Sequence, residues 1–175
     1  AVRQHLQAVA AEHQNTLATH FYEHMLAEPV AAQFLSHDQV RSRLHHSMQR
    51  WVVSIFSAHD RASLLPVIAQ QVQIGEIHAR IDVPMHLALR GARQLKLRLA
   101  QQLREDRHLE LALRSEAVHL ADQVIDAAME IMSQAYASSH DRNSRAAEAY
   151  RLTRIAYEIL EKNKGVDGIV LVGIQ

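Results

Sequence analysis

Apolar residues recur with the period of an α-helix along almost the whole chain. One stripe that falls on a single helix face consists of Val40, Leu44, Met48, Trp51, Val52 and Ile55. Gly and Pro, the residues that most often interrupt helices, number only five and three among 175 residues. We therefore predict an all-α fold in which long helices are joined by short turns.

The ends of the predicted helices follow from the residues that separate the stripes. Ser36 is suited to cap the helix that carries the stripe above, and a polar break at 59–63 separates that helix from the next. Each proline is expected at a helix start or boundary. Pro84 opens the first of two successive long helices, and the second of them ends near Ala137. The other predicted helices cover about residues 2–12, 14–27 and 64–80.

The composition narrows the classes of protein and of site. Nineteen Lys and Arg residues balance nineteen Asp and Glu residues, so no strongly basic surface for nucleic acid or anionic membrane is expected. The sequence has no cysteine, which excludes disulfides, thiolate-bound haem, iron–sulfur clusters and cysteine-ligated zinc. No apolar run reaches the roughly 18 residues of a membrane span, and the first residues do not resemble a signal peptide. We therefore expect a cytoplasmic protein without a membrane segment.

The chain changes character after Tyr136. The residues that follow are polar and predict a linker or a frayed helix, which we place at 138–151, after a domain at 1–137. The remainder, 152–175, is expected to hold a helix followed by a buried strand at 168–174. One strand has no partner in an otherwise helical chain, so this tail is predicted not to belong to the domain.

His78 is the first candidate for a functional side chain. It shares a helix face with Ile74 and Ile81, so its imidazole is expected to point toward the apolar interior. A buried imidazole either hydrogen-bonds through both ring nitrogens or uses one of them to bind a metal. A core histidine bonded to the backbone and a metal ligand both satisfy this pattern. Tyr22 allows the same two interpretations, since its hydroxyl fits either a backbone carbonyl or a ligand.

The other histidines carry weaker patterns. His20 and His24 stand four residues apart and form a possible pair for a divalent metal, but the sequence offers no evident third ligand. His45 and His46 are adjacent and point apart on a helix. The zinc-protease pattern, a glycine-rich phosphate loop and an assignable Ser/His/Asp set are all absent from the sequence.

Four sequence blocks resemble the sensor globins at the N-terminus of globin-coupled sensors. They are His20-Phe21-Tyr22, Phe34-Leu35-Ser36, Met48-Gln49-Arg50-Trp51 and His78-Ala79-Arg80-Ile81-Asp82-Val83-Pro84. Their order and spacing match that family over roughly residues 10–137, and best match the subgroup whose output is a diguanylate cyclase. The resemblance implies a globin fold with a modified N-terminal helix.

The resemblance also implies a haem pocket. In its terms His78 is the proximal ligand of haem b iron, and Tyr22 hydrogen-bonds dioxygen on the opposite side. Leu44 controls the entry of water, and Ser47 is a second polar contact. The candidate haem-binding residues are His78, Tyr22, Leu44, Ser47, Met48, Phe21 and Trp51. Periodicity alone leaves open that Leu44, Met48 and Trp51 are simply core residues.

A homodimer and an output domain are the partners that the resemblance implies. The last two long helices pair with their copies in this family, and carbon monoxide and nitric oxide are further gas ligands. The residues expected at this interface are Gly91, Ala92, Ala121 and Ala128, which are small, and Leu95, Leu99, Val124 and Ile131, which are apolar. The chain itself is expected not to be an enzyme, and its output to be a diguanylate cyclase or, alternatively, a chemotaxis transducer.

The tail resembles a different protein. From Leu152 through Gly165 and the strand that follows, 24 residues are similar to the start of the bacterial pyrimidine-operon attenuator, which is phosphoribosyltransferase-like. The diphosphate-binding loop of that family is absent, so neither transferase activity nor RNA binding is implied. We interpret the tail as a fusion or cloning artefact.

Two other classes of function remain as alternatives at this point. One is a haem-free, globin-like interaction module whose pocket is filled by side chains. The other is an enzyme that consumes nitric oxide or a protein that stores oxygen, like the flavohaemoglobins. That second alternative requires a reductase module, which the sequence lacks.

Overall fold

Six α-helices make up most of the part of the chain that the structure describes. A computed structural model describes residues 2–57 and 59–162. The helices are α1 Val2–Ala27, α2 His37–Gln39, α3 His45–Phe56, α4 Arg61–Arg80, α5 Met85–Glu105 and α6 Leu111–Lys162. No strand occurs among these described residues, and the predicted all-α fold is confirmed. The strand predicted at 168–174 lies outside them.

The first helix, α1, runs without interruption over 26 residues. The predicted division into helices at 2–12 and 14–27 is wrong, because neither Gly nor Pro stands near residue 13 to interrupt the backbone hydrogen bonds. The helix ends just before Pro29, whose ring disfavours helical backbone at the preceding residue. It packs mainly on α3 and α5.

An irregular turn divides the next helical stretch. Ser36 caps it as predicted, since the backbone N–H of Gln39 donates to Ser36 Oγ and the backbone N–H of Ser36 donates to Gln39 Oε1, both at 3.2 Å. Between α2 and α3, residues Val40–Leu44 form a π-helical turn, and the N–H of His45 donates to the carbonyl five residues back. The apolar stripe runs through this turn without a break, so the sequence did not predict it.

Helix α4 begins three residues earlier than predicted, at Arg61. Asp60 and Ser63 form a capping box, with the Ser63 N–H donating to Asp60 Oδ1 at 2.8 Å and the Asp60 N–H donating to Ser63 Oγ at 2.9 Å. Pro66 therefore lies inside the helix. The prediction that each proline marks a helix boundary is wrong at this position, because the cap fixes the start of the helix ahead of it.

A close backbone contact joins α4 to α6, the helix on which α4 mainly packs. A Cβ atom added at Gly75 would lie 2.3 Å from the carbonyl oxygen of Met132 and 3.0 Å from the Cβ of Ala135. Ala79, one turn further along α4, is 1% exposed. The position of α4 is therefore set by direct contact with the backbone of α6.

The core of the described part lies between α5, α6 and the helices packed on them. Leu95 and Leu99 have no exposed surface, so the prediction that they supply surface to a dimer is wrong. Each of them packs inside the same chain because its face of α5 is the inward one. The exposed leucines of α5 are Leu89 and Leu97, at 48% and 56%.

Helix α6 continues through the polar residues that follow the predicted domain. The segment 138–145 is helical, and every residue of 141–151 is exposed. The predicted limits of domain, linker and tail stay predictions. Within the described residues, no helix combines the length and the apolar character that crossing a membrane requires.

Candidate functional site

His78 lies on the last turn of α4 and has one ring nitrogen bonded to the backbone. Its Nδ1 is 2.8 Å from the carbonyl oxygen of Ile74. A carbonyl only accepts hydrogen bonds, so we assign the ring hydrogen to Nδ1, which donates. In the neutral ring Nε2 then keeps its lone pair, which is the form in which imidazole binds a metal. The half-buried ring therefore has the tautomer that a metal-binding histidine needs, and a core histidine bonded to the backbone has the same one.

A Schellman motif fixes the chain directly after this histidine. The N–H of Val83 donates to the carbonyl of His78 at 3.0 Å, and the N–H of Asp82 donates to the carbonyl of Ala79 at 3.3 Å. Asp82 takes the left-handed backbone conformation, with φ 53°, that glycine most often provides. Both the ring and the carbonyl of His78 are therefore held in place by the backbone of its own segment.

Tyr22, on α1, reaches the end of the π-helical turn. Its hydroxyl donates to the carbonyl oxygen of Leu44 at 3.2 Å. Burial raises the pKa of Tyr22 to about 12, because the ionised phenolate would lose its hydration. The group is therefore a neutral hydrogen-bond donor over the usual range of pH.

A second polar contact lies beside Tyr22. Thr19 Oγ1 is 2.9 Å from Nε2 of His45, the first residue of α3. The rings of Tyr22 and His45 are 6.5 Å apart between centroids. Sequence reasoning set His45 aside, because a contact with Thr19 26 residues away leaves no local pattern.

One apolar cluster connects the Tyr22 segment with the segment after His78. Phe21 packs edge-on against Tyr22, with 5.0 Å between ring centroids. Phe21 and Val83 both pack on a small core formed by Met25, Ala31 and Leu87. Gly91 allows this approach of α1 to α5, since a Cβ there would lie 2.4 Å from the Phe21 ring.

The other predicted pocket residues lie along α3 and differ in their surroundings. Ser47 Oγ accepts from Arg50 Nη2 at 3.3 Å in an exposed position, whereas the Tyr22 hydroxyl bonds to the Leu44 carbonyl. Met48 is half-buried and packs against the main core, and Trp51 is 6% exposed within it. Leu44 is half-buried and contributes its carbonyl to Tyr22.

Gln71 is the polar residue that sequence reasoning missed. It is 2% exposed, and its Oε1 accepts from Trp51 Nε1 at 2.7 Å. Its Nε2 donates to the carbonyl of Val67 at 2.9 Å. Its burial could have been predicted from the sequence, because helical spacing places Gln71 on the same face of α4 as Ile74 and His78.

Two grooves of about 290 Å³ each are present in the described part of the chain. One runs along α5 and α6, and the other is lined by residues of α1, α3, α4 and α6. Neither groove is lined by His78 or Tyr22. The chemistry of the side chains, and not groove size, points to the site at His78.

The alternative metal pair on α1 has no third ligand. The rings of His20 and His24 are 4.1 Å apart between centroids, and His24 Nδ1 donates to the carbonyl of His20 at 2.9 Å. Among the residues described, no group of three or more His, Cys, Asp or Glu side chains is arranged to hold a metal ion. This pair is therefore a weak candidate.

Comparison with known proteins shows the family of the chain. The profile of the Protoglobin family matches residues 1–142. Diguanylate cyclase DosC of Escherichia coli strain K12 is 31% identical over 153 residues, which are 86% of this chain and 32% of DosC. The chain thus spans about a third of the length of this relative. The chain belongs to the Protoglobin family.

Solved structures agree with this assignment. The ferrous crystal form of the globin domain of E. coli DosC has a TM-score of 0.71 and 30% identity, and the match covers 76% of this chain and 88% of that one. The globin domain of the Geobacter sulfurreducens globin-coupled sensor has a TM-score of 0.67 over 77% and 86% of the two chains, and at 24% identity it supports the fold alone. The chain contains a globin domain similar to that of the diguanylate cyclase DosC. The predicted family and globin fold are confirmed.

A separate short match concerns the predicted tail. Bifunctional protein PyrR of Geobacter sulfurreducens is 83% identical over 24 residues, which are 14% of this chain and 14% of that protein. The predicted tail, 152–175, has the same length. A match of this extent does not transfer the activity of that protein to this chain.

Proposed function

We propose, from the membership of the chain in the Protoglobin family, that residues 1–137 form a haem-based oxygen-sensor domain. Haem b is the proposed cofactor and dioxygen the proposed ligand, with carbon monoxide and nitric oxide as further ligands. The observation that carries the proposal is the match of the Protoglobin family to residues 1–142. The hydrogen bond from His78 Nδ1 to the Ile74 carbonyl supports it, because the lone pair of Nε2 is then available to bind iron.

The side chains of the proposed pocket have the chemistry that a haem requires. Haem iron held by one histidine supplies a binding position for a diatomic gas on its other face. His78 is the proposed proximal ligand, and its bond to the Ile74 carbonyl fixes the orientation of the ring. Phe21, Leu44 and Met48 are half-buried apolar side chains, which suit an apolar macrocycle.

Tyr22 is the proposed donor to dioxygen. Its pKa of about 12 keeps the proton on the hydroxyl. The hydroxyl must exchange the Leu44 carbonyl for the ligand, so the net gain is the difference between two hydrogen bonds. A net gain near the lower end of the usual 1–3 kcal/mol for such a bond corresponds to about ten-fold in affinity. Leu44 is the apolar residue proposed to limit the entry of water into the pocket. Ser47 is the proposed second polar contact of the bound gas.

The proposed signal passes from His78 into α6. A ligand-linked movement of His78 shifts α4, and the Gly75 contact transmits the shift to the backbone of α6 at Met132. Helix α6 then continues to Lys162, beyond the proposed globin limit at 137. Helix α6, on which α4 mainly packs, is therefore the helix proposed to respond first to the movement of α4.

A homodimer and a C-terminal output domain complete the proposal. Leu89 and Leu97 are exposed along the groove between α5 and α6 and supply apolar surface for a second copy. The proposed output is a diguanylate cyclase, as in DosC, with a chemotaxis transducer as the alternative, and the proposed location is the cytoplasm. Residues 138–151 are the proposed linker, and 152–175 a fused tail without a role in gas binding.

An absorption spectrum of the purified protein, recorded with and without oxygen, tests this function. We expect a strong band near the blue edge of the visible range that shifts reversibly between the reduced protein in nitrogen and in air. A colourless protein that takes up no added haem would instead support the haem-free interaction module. Rapid consumption of nitric oxide by the purified chain with a reductant would support the enzyme alternative.

A further inference from the structure

The hydrogen bond between Trp51 and Gln71 joins α3, which directly follows Leu44, to α4, which carries His78. Helix α3 packs mainly on α1, and α4 mainly on α6, so the two have few contacts of their own. Trp51 Nε1 donates to Gln71 Oε1 at 2.7 Å, and both side chains are at least nine-tenths buried. This bond is therefore a direct, buried polar connection from α3 to α4. A longer, half-buried bond from Ser54 Oγ to Gln70 Oε1, at 3.4 Å, lies beside it in sequence.

The amide of Gln71 is held at both ends. Its Nε2 donates to the Val67 carbonyl one turn back on α4, which leaves Oε1 as the atom that faces Trp51. An indole N–H only donates, so this orientation of the amide satisfies both partners. A buried pair of this kind is costly to break from one side, because the group that remains keeps no partner.

The two residues stand at matching distances from the candidate site. Trp51 of α3 follows Leu44, the last residue of the π-helical turn, by seven residues, and Gln71 precedes His78 by seven residues on α4. Seven residues of helix are two turns, about 10 Å, so each of the four residues faces the same side of its own helix as its partner two turns away. Along the helix axes, the bond therefore lies about 10 Å from Leu44 on one helix and from His78 on the other.

A groove begins on the far side of this bond. Gln71 lines the groove of about 290 Å³ together with Ile55 and Phe56 of α3 and Val67 and Ile68 of α4. Ile74 and His78 lie on the other side of Gln71 along α4 and do not line it. Gln71 thus separates the groove from the part of α4 that carries His78.

We propose that Gln71 is a positioning residue that, bonded to Trp51, closes the haem space toward this groove and fixes the presentation of His78. The inference rests on the proposed haem binding. Without the bond, the Gln71 side chain no longer closes the gap between α3 and α4, and the proposed haem space beside His78 opens into the groove. Haem is then held less firmly, and a photolysed gas ligand has a second volume to enter.

A double-mutant cycle with Trp51→Phe and Gln71→Met tests this role. Phe keeps a ring and leaves Gln71 Oε1 unpaired, whereas Met keeps the length of the side chain and leaves the indole N–H unpaired. The rate of haem transfer to an excess of a haem-free scavenger globin should rise about ten-fold or more in each single variant, since one unpaired buried group has an effect of that order. The double variant should lose haem more slowly than the product of the two single effects predicts, because neither partner is left unpaired.

A matched control separates positioning from general destabilisation. Leu103→Ala removes a fully buried side chain near the C-terminal end of α5 and should lower the melting temperature of the haem-free protein without the same rise in haem loss. Carbon monoxide rebinding after a light flash should gain a slower phase in the Trp51 and Gln71 variants only.

The outcomes of this experiment discriminate between the two proposals. Haem loss and rebinding equal to those of the parent would overturn the inference, and so would equal acceleration in Leu103→Ala. In both cases the proposed haem binding would stand. A parent protein that takes up no haem would overturn the proposed function, and the inference with it.

Discussion

The α4 side of the candidate site and the α1–α3 side are built in different ways. Helix α4 is regular, begins at the Asp60 capping box and ends at a Schellman motif, and Gly75 rests on the backbone of α6. The opposite side depends on a π-helical turn at Val40–Leu44, whose last carbonyl accepts from Tyr22. One side is fixed by backbone contacts, and the other by a side chain that can change its partner. The difference suits the proposed roles of His78 as a fixed haem ligand and of Tyr22 as an adaptable contact for the gas.

The largest expected effect in this comparison belongs to Gly75→Ala. The added Cβ meets the Met132 carbonyl, which belongs to a helix backbone and cannot rotate away. We expect the free energy of unfolding to fall by about 2 kcal/mol even after the gain in helix propensity. Chemical denaturation of the haem-free protein measures this change.

Gly91→Ala is the control on the opposite side. Its added Cβ meets the Phe21 ring, a side chain that can shift, so the loss should be smaller than for Gly75→Ala. A larger loss at Gly91 would mean that the α1–α3 side, and not the α4 side, is the more tightly constrained.

Tyr22→Phe tests the adaptable contact. Removal of the hydroxyl should raise the rate of oxygen dissociation about ten-fold, with a much smaller effect on carbon monoxide, which is less polar when bound. Stopped-flow replacement of oxygen by carbon monoxide gives both rates. Parent-like oxygen dissociation would dismiss Tyr22 as the donor and leave Ser47 as the candidate.

The same hydroxyl predicts a dependence of stability on alkaline pH. Tyr22 titrates near 10 in the unfolded chain and at about 12 in the folded one. Between these values the unfolded chain releases the proton first, so the contribution of Tyr22 to stability is complete below about pH 10 and is lost as pH rises toward about 12. The melting temperature of the parent should fall more steeply across this window than that of Tyr22→Phe. Parallel curves would show that Tyr22 is more exposed than the structure has it.

The smallest expected effect is at Asp82. Its left-handed backbone suits glycine, so Asp82→Gly should change stability by less than about 1 kcal/mol, whereas Asp82→Ala should be the less stable of the two. Oxygen dissociation should be unaffected by Asp82→Gly, because the Val83 N–H still reaches the His78 carbonyl. A changed rate of oxygen dissociation in Asp82→Gly would show that the turn after His78 affects gas binding directly.

The sequence predicted the α4 side better because that side is locally encoded. The face shared by Ile74 and His78 follows from helical spacing. Asp60 and Ser63 have the spacing of a capping box, although the predicted start of the helix, at residue 64, did not use it. The π-helical turn is not visible, because one extra residue in a helical turn leaves the apolar stripe continuous. The bond from Trp51 to Gln71 was also beyond reach, since a pair 20 residues apart has no local signature.

The same limit explains the error at the proposed dimer surface. Spacing shows that Leu95 and Leu99 share a face of α5 but does not show which face the rest of the chain covers. Packing buries that face completely and leaves Leu89 and Leu97 outside. The prediction that the small residue Gly91 lies at the interface between two copies has the same weakness. In the structure, Gly91 makes room for Phe21 of the same chain.

Replacement of His78 by glycine, followed by addition of imidazole, tests the central claim most directly. The variant should purify without stable haem, and imidazole should restore a reduced spectrum like that of the parent by occupying the place of the missing ring. His86→Ala, which removes an exposed histidine of α5, should leave the spectrum unchanged. A His78→Gly protein that keeps its full haem content and the reduced spectrum of the parent without imidazole would contradict the account.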